Sequence, residues 1–331
     1  MSFSLRRSAS LILRDWEQTG GFATDLIEAT AASQRLEPRD RAALQRLVYG
    51  VIRNQRLLDH VMDGLVHDRP DPLSRRLLRL GLCELLLLEG PAHAVVHEIV
   101  GLAGRTKSLI NAILRRSIRE QDSVRLSWES LPLDVRWSVP AFLWERWNKQ
   151  YGPDAAASLA AWNQQPAPTY LRVHPPVGQI LDHSAAQVEP VPDYPCYVRV
   201  KEGLPRQWLD EGWVYAQDPS TQAAITRLEA GPEHSVLDAC AAPGGKTLAI
   251  AQTGARRIWA TDESAARLAQ LDGNLRRLRI DHLITTVQHD WLGPINAELE
   301  ALSFDRILID APCSNTGVIR RRIDVPWRLR R

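Results

Sequence analysis

Cysteine is scarce in this chain. Its 331 residues hold four, at Cys83, Cys196, Cys240 and Cys313, and none forms a Cys-x-x-Cys pair. That excludes a disulfide scaffold and a zinc ribbon, and it suits a reducing compartment, so a cytoplasmic location is expected. Lysine is nearly absent: Lys107, Lys149, Lys201 and Lys246 are the only lysines among 41 basic residues. Arginine is the better fork for phosphate, but genome composition produces the same bias, so it decides little. Charge of one sign is missing too. A net charge of +2 announces no nucleic-acid binder by bulk electrostatics. Long apolar runs are also lacking: the best, Leu80 to Leu88, is broken by Glu84 and falls short of the ~18 residues of a membrane span. No internal repeat or low-complexity segment appears. What remains is 44% hydrophobic and 24% charged, which excludes a disordered chain and allows two or three globular domains.

Residues 1 to 125 read as an all-α domain. The first 14 are Arg- and Ser-rich without an acid, as in a transit peptide, yet Leu11, Ile12 and Trp16 continue a helical spacing and place them in a first helix. From Arg39 to Leu65, apolar residues recur at three- and four-residue steps, which predicts one helix with Pro38 at its start. Pro72 to Glu89 is apolar almost all round and predicts the buried centre of a bundle, ended by Gly90-Pro91. Helices are expected at Ala92–Leu102 and Ser108–Arg119, the last carrying Arg115, Arg116 and Arg119. His93 and His97 are spaced i, i+4, but no third ligand is evident, so they read as helix packing and no metal site is expected.

Residues 126 to 212 change character: seven of the 11 tryptophans and 12 of the 21 prolines fall between 128 and 219. Trp144, Trp147 and Tyr151 share one face of a short helix, and Thr169–His174 and Cys196–Val200 read as strands. This is a small α+β connector. From residue 213 to 331 strand and helix alternate, the pattern of a Rossmann-like α/β domain with a parallel sheet. Strands are expected at Ser235–Cys240, Arg257–Asp262, Leu283–Asp290 and Asp305–Asp310.

Carboxylates close three of these strands, at Asp262, Asp290 and Asp310, and the first opens into Asp238-Ala-Cys-Ala-Ala-Pro-Gly-Gly-Lys-Thr247. In an open α/β sheet, ligands sit beyond the carboxyl ends of the strands. A single terminal Asp reads as a helix cap or turn residue. Three at successive strand ends beside a Gly-rich loop read as a site. The loop is neither Gly-x-Gly-x-x-Gly nor a Walker A loop, because Cys240 stands where the latter needs glycine. A carboxylate 24 residues past Asp238 suits a ribose diol, and Asp290 can accept from an adenine amino group. A nucleoside site without a phosphate cradle favours S-adenosylmethionine over NAD or ATP.

The segments Cys240-Ala-Ala-Pro-Gly-Gly-Lys-Thr247 and Asp310-Ala-Pro-Cys-Ser-Asn-Thr-Gly-Val-Ile-Arg320 resemble the cofactor and catalytic-loop motifs of RNA cytosine-C5 methyltransferases. Leu47-Val-Tyr-Gly-Val-Ile-Arg53 and Asn111-Ala-Ile-Leu-Arg-Arg116 are similar to the NusB-type helical RNA-binding domain. Together they resemble the bacterial 16S ribosomal RNA methyltransferases of the Sun/Fmu (RsmB) type over nearly the whole chain. The resemblance implies that Cys240, Ala241, Ala242, Pro243, Gly244, Gly245 and Lys246 bind S-adenosylmethionine, with Asp262 at the ribose, Asp290 at the adenine and Asp310 near the reacting centre. It implies that Cys313 faces a flipped cytosine of 16S ribosomal RNA, the expected partner.

In that family a second cysteine, in a later Thr-Cys-Ser motif, is the covalent nucleophile, and the cysteine matching Cys313 assists product release. No Thr-Cys-Ser occurs in this sequence. A truncated member with only the first four strands of its sheet is therefore expected, with Ile307-Leu-Ile309 left on an open edge. Two rival readings stay open: a catalytically silent RNA- and cofactor-binding fragment, and a helical binding module with a vestigial C-terminal domain. Cys240 is expected to line the cofactor; Cys83 and Cys196 read as small buried hydrophobes. Arg320, Arg321 and Arg322, with Arg328, Arg330 and Arg331, are expected to meet phosphate beside the catalytic loop.

Overall fold

The computed structural model describes residues 4–66, 68–174 and 188–329. Arg330 and Arg331 lie outside the described residues. Two compact units divide the chain: residues 1–167 with 314–331, and residues 168–313. The described part of the 126–212 stretch is thus shared, its helices up to Gln164 counted with the first unit and its strands and the short Arg206–Asp210 helix with the second.

The first unit is helical. Leu5–Thr19, Ala23–Gln34, Pro38–Arg53, Gln55–Leu65, Pro72–Leu82, Ala92–Leu102 and Lys107–Arg119 pack around a core that includes Ile12, Leu44, Ile52, Leu77, Leu80 and Ile99. The helix expected over Arg39–Leu65 is two helices. Asn54 leaves helical geometry (φ −107°, ψ 18°) and its Nδ2 donates to the Gly50 carbonyl at 2.9 Å, the local side-chain-to-backbone bond that competes with a helix ladder. The Pro72–Leu82 helix is the buried centre, and a π-helical turn, Cys83–Leu87, continues it. Its two buried cations are paired: Arg79 bonds Asp59 at 2.7 Å and Glu17 at 3.1 Å, and Arg76 bonds Glu17 at 3.0 Å. Gly81 permits the closest approach; a Cβ there would stand 2.6 Å from Leu114 Cδ2. A second cluster of Leu143, Trp147, Ala156 and Ala160 joins the Ala141–Tyr151 and Pro153–Gln164 helices. Trp147 is buried in it, whereas Tyr151 is exposed.

Residues 314–329 pack back into this unit. Ile323 enters the helical core, and Ile319 and Val325 enter the second cluster. The buried Asp324 carboxylate accepts from Trp16 Nε1 at 2.6 Å and from the backbone N–H of Ala23 at 2.9 Å. Phe22, at the N-cap of the Ala23–Gln34 helix, makes no side-chain cap bond, so a carboxylate from the far end of the sequence satisfies that helix N-terminus.

The second unit holds two sheets. In the first, β1 (Tyr170–Val173), β2 (Val188–Val191), β3 (Tyr194–Val200) and β4 (Val214–Ala216) are antiparallel in the order β2-β3-β1-β4. Cys196 is exposed, not buried as expected. It sits two residues from the β2–β3 turn, beyond the apolar patch of Leu171, Val188, Val198 and Val214. In the second sheet, β5 (Ser235–Asp238), β6 (Arg257–Asp262), β7 (Ile284–Gln288) and β8 (Arg306–Leu308) are parallel in the order β7-β6-β5-β8. The four expected strands are present, each shorter at one end or both except β6. Helices Gly245–Ala251 and Ala265–Arg277 follow β5 and β6, and Leu248, Leu268, Leu271 and Leu275 pack on Val236 and Ile258. Among the described residues β8 has one neighbour, β5, and Ile307 and Ile309 are exposed. No helix of the described residues is long and apolar enough to cross a membrane.

Candidate active site

The carboxyl ends of the parallel strands surround a cavity of about 430 Å³. Leu237, Ile307, Ile309 and Pro312 give it an apolar wall; Cys240, Asp262, Glu263, Asp290 and Trp291 give it a polar rim. The order β7-β6-β5-β8 makes β5, first in sequence, an interior strand, so the loop after it lies at the switch of winding direction where ligands bind in such sheets.

That loop turns sharply. Gly244 has φ +108°, and a Cβ there would strike Leu271 Cδ1, so glycine alone fits. Three of the loop's backbone donors are already engaged: Gly244 N–H donates to Ala241 O at 2.8 Å, Ala242 N–H to the Asp262 carboxylate at 3.3 Å and Ala241 N–H to Thr261 O at 2.8 Å. Backbone donors spent this way cannot cradle a pyrophosphate. Ala241 and Ala242 are buried beneath the cavity, and Asn274 Nδ2 holds the Pro243 carbonyl at 2.9 Å. Gln217 Nε2 holds the Gly245 carbonyl at 2.8 Å.

The carboxylates differ in setting. Asp262 is buried, fixed by Ala242 N–H, by Ser264 N–H at 3.1 Å and by Arg267 at 3.3 Å. Asp290, two residues past β7, is exposed and accepts from Leu292 N–H at 2.9 Å. Asp310, two residues past β8, is ion-paired with Lys246. Asp238, at the end of β5, is buried; Thr247 Oγ1 donates to it at 2.7 Å while its Oδ1 has no partner. Burial pushes its carboxyl up to about 6, against the opposing Thr247 bond and the Lys246 charge. The Cys240 thiol is also raised, by burial and then by Asp238, Asp262 and Asp310, which disfavours a thiolate there. Cys313 is exposed on the loop past Pro312.

Sequence reasoning passed over Asp238, Arg267 and Trp291 as site residues. Trp291 Nε1 donates to Ala239 O and Thr261 Oγ1, both at 2.9 Å, and its ring meets His289 edge-on at 4.3 Å. An aromatic directly after a strand-end carboxylate was the available signal; for Arg267, inside a helix, there was none. With acids outnumbering the two cations Lys246 and Arg267, the cavity suits a neutral or cationic nucleoside.

Arg115, Arg116, Arg320, Arg321 and Arg322 are not brought into this cavity. Arg115 bonds Asn111 at 3.0 Å and Arg116 pairs with Glu120 at 2.9 Å on an exposed helix face. Arg320 stacks on Trp162 at 4.0 Å, and Arg322 lies over Phe22 at 5.4 Å.

The family described as 16S rRNA methyltransferase RsmB/F matches residues 225–331, and the NusB family matches residues 4–119. The ribosomal RNA small subunit methyltransferase B of Escherichia coli O1:K1 is 36% identical over 313 residues, covering 89% of this chain and 71% of that protein. The chain belongs to the RsmB/F family of 16S rRNA methyltransferases. The RsmB/F relative of Shigella sonnei (strain Ss046) matches to the same extent, 36% over 313 residues. Among solved structures, that of PH0851 covers all of this chain and 79% of its own with a TM-score of 0.70 at 19% identity, a likeness of fold.

Proposed function

We propose that this RsmB/F member uses S-adenosylmethionine to methylate C5 of a cytosine in 16S ribosomal RNA. The observation that carries the cofactor assignment is the cavity beyond β5, β6 and β7, with apolar walls, an acidic rim and a loop whose Ala241, Ala242 and Gly244 N–H groups are already bonded. When bound, S-adenosylmethionine supplies an electrophilic methyl on a cationic sulfur. Asp262 would accept from the ribose, Asp290 would accept from the adenine amino group, and the loop Cys240–Lys246 would line the methionine end. The unpartnered Asp238 Oδ1 is a further acceptor beside that loop.

C5 of cytosine is a weak nucleophile until a thiolate adds to C6, which makes C5 enamine-like; the methyl then bonds to C5 as its bond to sulfur breaks. A base removes the C5 proton, and the C6–S bond breaks to release the thiolate. Asp310, once protonated, would donate to N3 and offset the negative charge developing on the ring; as the carboxylate paired with Lys246 it would instead accept from the cytosine amino group. Cys313 is the thiol nearest Asp310 in sequence and would act in the addition or the release. The proposed organisation is an RNA-binding helical domain over 1–125, a connector over 126–212 and a methyltransferase domain over 213–331, with RNA contacts at Arg115, Arg116 and Arg320–Arg322.

A second reading is that these 331 residues by themselves bind cofactor and RNA without turnover, since they hold no Thr-Cys-Ser motif. One experiment divides the two. RNA carrying 5-fluorocytosine traps the covalent adduct because fluorine cannot leave as a proton does. An adduct lost in Cys313→Ser makes Cys313 the nucleophile; cofactor binding with neither adduct nor methyl transfer supports the silent reading.

A further inference from the structure

The helical unit has a large concavity of its own, separate from the methyl-transfer cavity in its lining residues. It measures about 1110 Å³, above the ~300–1,000 Å³ of ordinary small-molecule pockets, so it suits a polymer segment better than a single metabolite. Six arginines line it: Arg46, Arg53, Arg125, Arg136, Arg320 and Arg321, against a single acid, Glu129. Trp128, Trp137 and Tyr49 stand among them.

Arg53 is the telling residue. It is half-buried and has no carboxylate partner; one guanidinium nitrogen donates to the Arg320 carbonyl at 3.2 Å and its buried Nε has no partner. Burial and the Arg320 charge both pull its pKa down. A desolvated cation left unpaired is unfavourable, and an incoming anion would relieve it. Elsewhere in this unit, buried arginines are matched: Arg6 with Glu84 at 2.7 Å, Arg79 with Asp59 at 2.7 Å. The buried Nε1 of Trp128 also lacks a partner. Arg136 lies over Trp137 at 5.2 Å, so a guanidinium and an indole are stacked side by side at the wall.

We propose that this cleft binds a single-stranded segment of the RNA substrate, its phosphates on Arg46, Arg53 and Arg321 and an unstacked base against Trp137. Forked guanidiniums match phosphate oxygens, and an aromatic face accepts any unstacked base. A duplex, with its phosphates on a convex surface and its bases hidden, would not use the concavity or the indoles. The inference rests on the proposed ribosomal RNA substrate, and it assigns a holding site in the helical unit, built mostly from residues far in sequence from Asp310 and Cys313.

The test uses the full chain and a fluorescent single-stranded RNA of about 12 nucleotides, with duplex RNA, inorganic polyphosphate and polyglutamate as competitors. The double variant Arg46→Glu/Arg321→Glu should weaken RNA binding at least tenfold and reduce the salt slope by roughly 1.4, about 0.7 for each single-strand phosphate that is no longer neutralised. Trp137→Leu should weaken RNA but not polyphosphate. S-adenosylmethionine affinity, read by calorimetry, should be unchanged in these variants. Arg46 and Arg321 are exposed, so their reversal leaves the core intact and the result stays interpretable if Trp137→Leu unfolds. Undiminished RNA affinity in the double variant overturns the site. Polyglutamate or duplex RNA competing as well as the single strand overturns its occupant. Loss of methyl transfer with RNA binding and its Arg46 dependence retained would instead count against the catalytic reading alone.

Discussion

At the scale of single residues, Asp238 shows how the site was made at a cost in stability. Its carboxyl is raised to about 6 in the folded chain, above the ordinary value near 4, so the folded state holds the proton more tightly than the unfolded one. Stability from this group is therefore full below pH 4 and is lost as pH rises through 6, by roughly 3 kcal/mol. Asp238→Asn keeps the bond from Thr247 and removes the buried charge. We expect it to raise the melting temperature at pH 7.5, to flatten the pH 4–6.5 dependence of stability, and to weaken S-adenosylmethionine binding; melting curves across that range check the first two. Asp262→Ala removes an acceptor fixed by three donors, and should cost roughly 1.5–3 kcal/mol of cofactor affinity by calorimetry. The placement of Asp262 and Asp290 beside the cavity was legible because strand-end carboxylates repeat in the sequence. The desolvation of Asp238 was not, since nothing in the sequence says which of two neighbouring strand-end acids will be desolvated.

Between elements, legibility followed apolar periodicity. The Ala92–Leu102 and Lys107–Arg119 helices carry apolar residues every third or fourth position and were readable almost to the residue. The Asn54 break was not, because Val51, Ile52, Leu57 and Leu58 keep the periodicity running through it. The Ala23–Gln34 helix buries Ala23, Ile27 and Ala31 in the core, with Leu26 partly buried against it, too little bulk to be seen as a stripe. Its N-terminus depends on Asp324, about three hundred residues away. Asp324→Ala removes charge-assisted bonds to Trp16 Nε1 and Ala23 N–H, and we expect a loss of about 2–3 kcal/mol. Hydrogen exchange should quicken in the first turn of Ala23–Gln34 above all; protection unchanged there would mean that the cap is idle. Gly81→Val should be more damaging, since even a Cβ meets Leu114.

For the whole molecule, the two compact units have separate hydrophobic clusters. Ile12, Leu44, Leu77 and Ile323 belong to one, and Val236, Leu248, Ile258 and Leu271 to the other. The C-terminal arginines looked from sequence like a phosphate-binding tail. Packing gives some of them a structural duty as well, Arg328 donating to Trp16 O at 2.6 Å and Gly21 O at 3.0 Å and Arg320 to Pro166 O at 2.7 Å. Neither that duty nor the return of residues 314–329 to the helical unit could be read from the sequence, because both depend on contacts between distant segments. This arrangement predicts two thermal transitions rather than one, as is common when cores are separate. Binding to the folded state alone stabilises by mass action, about 2.7 kcal/mol at a ligand concentration one hundred times Kd. S-adenosylmethionine should therefore raise the transition of the unit bearing the Asp262 loop and leave the other in place. Asp324→Ala should do the reverse, lowering the helical transition in calorimetric scans while the cofactor-dependent one stays fixed. If both treatments move a single transition, the units unfold as one cooperative body and the separate cores do not set the stability of the chain.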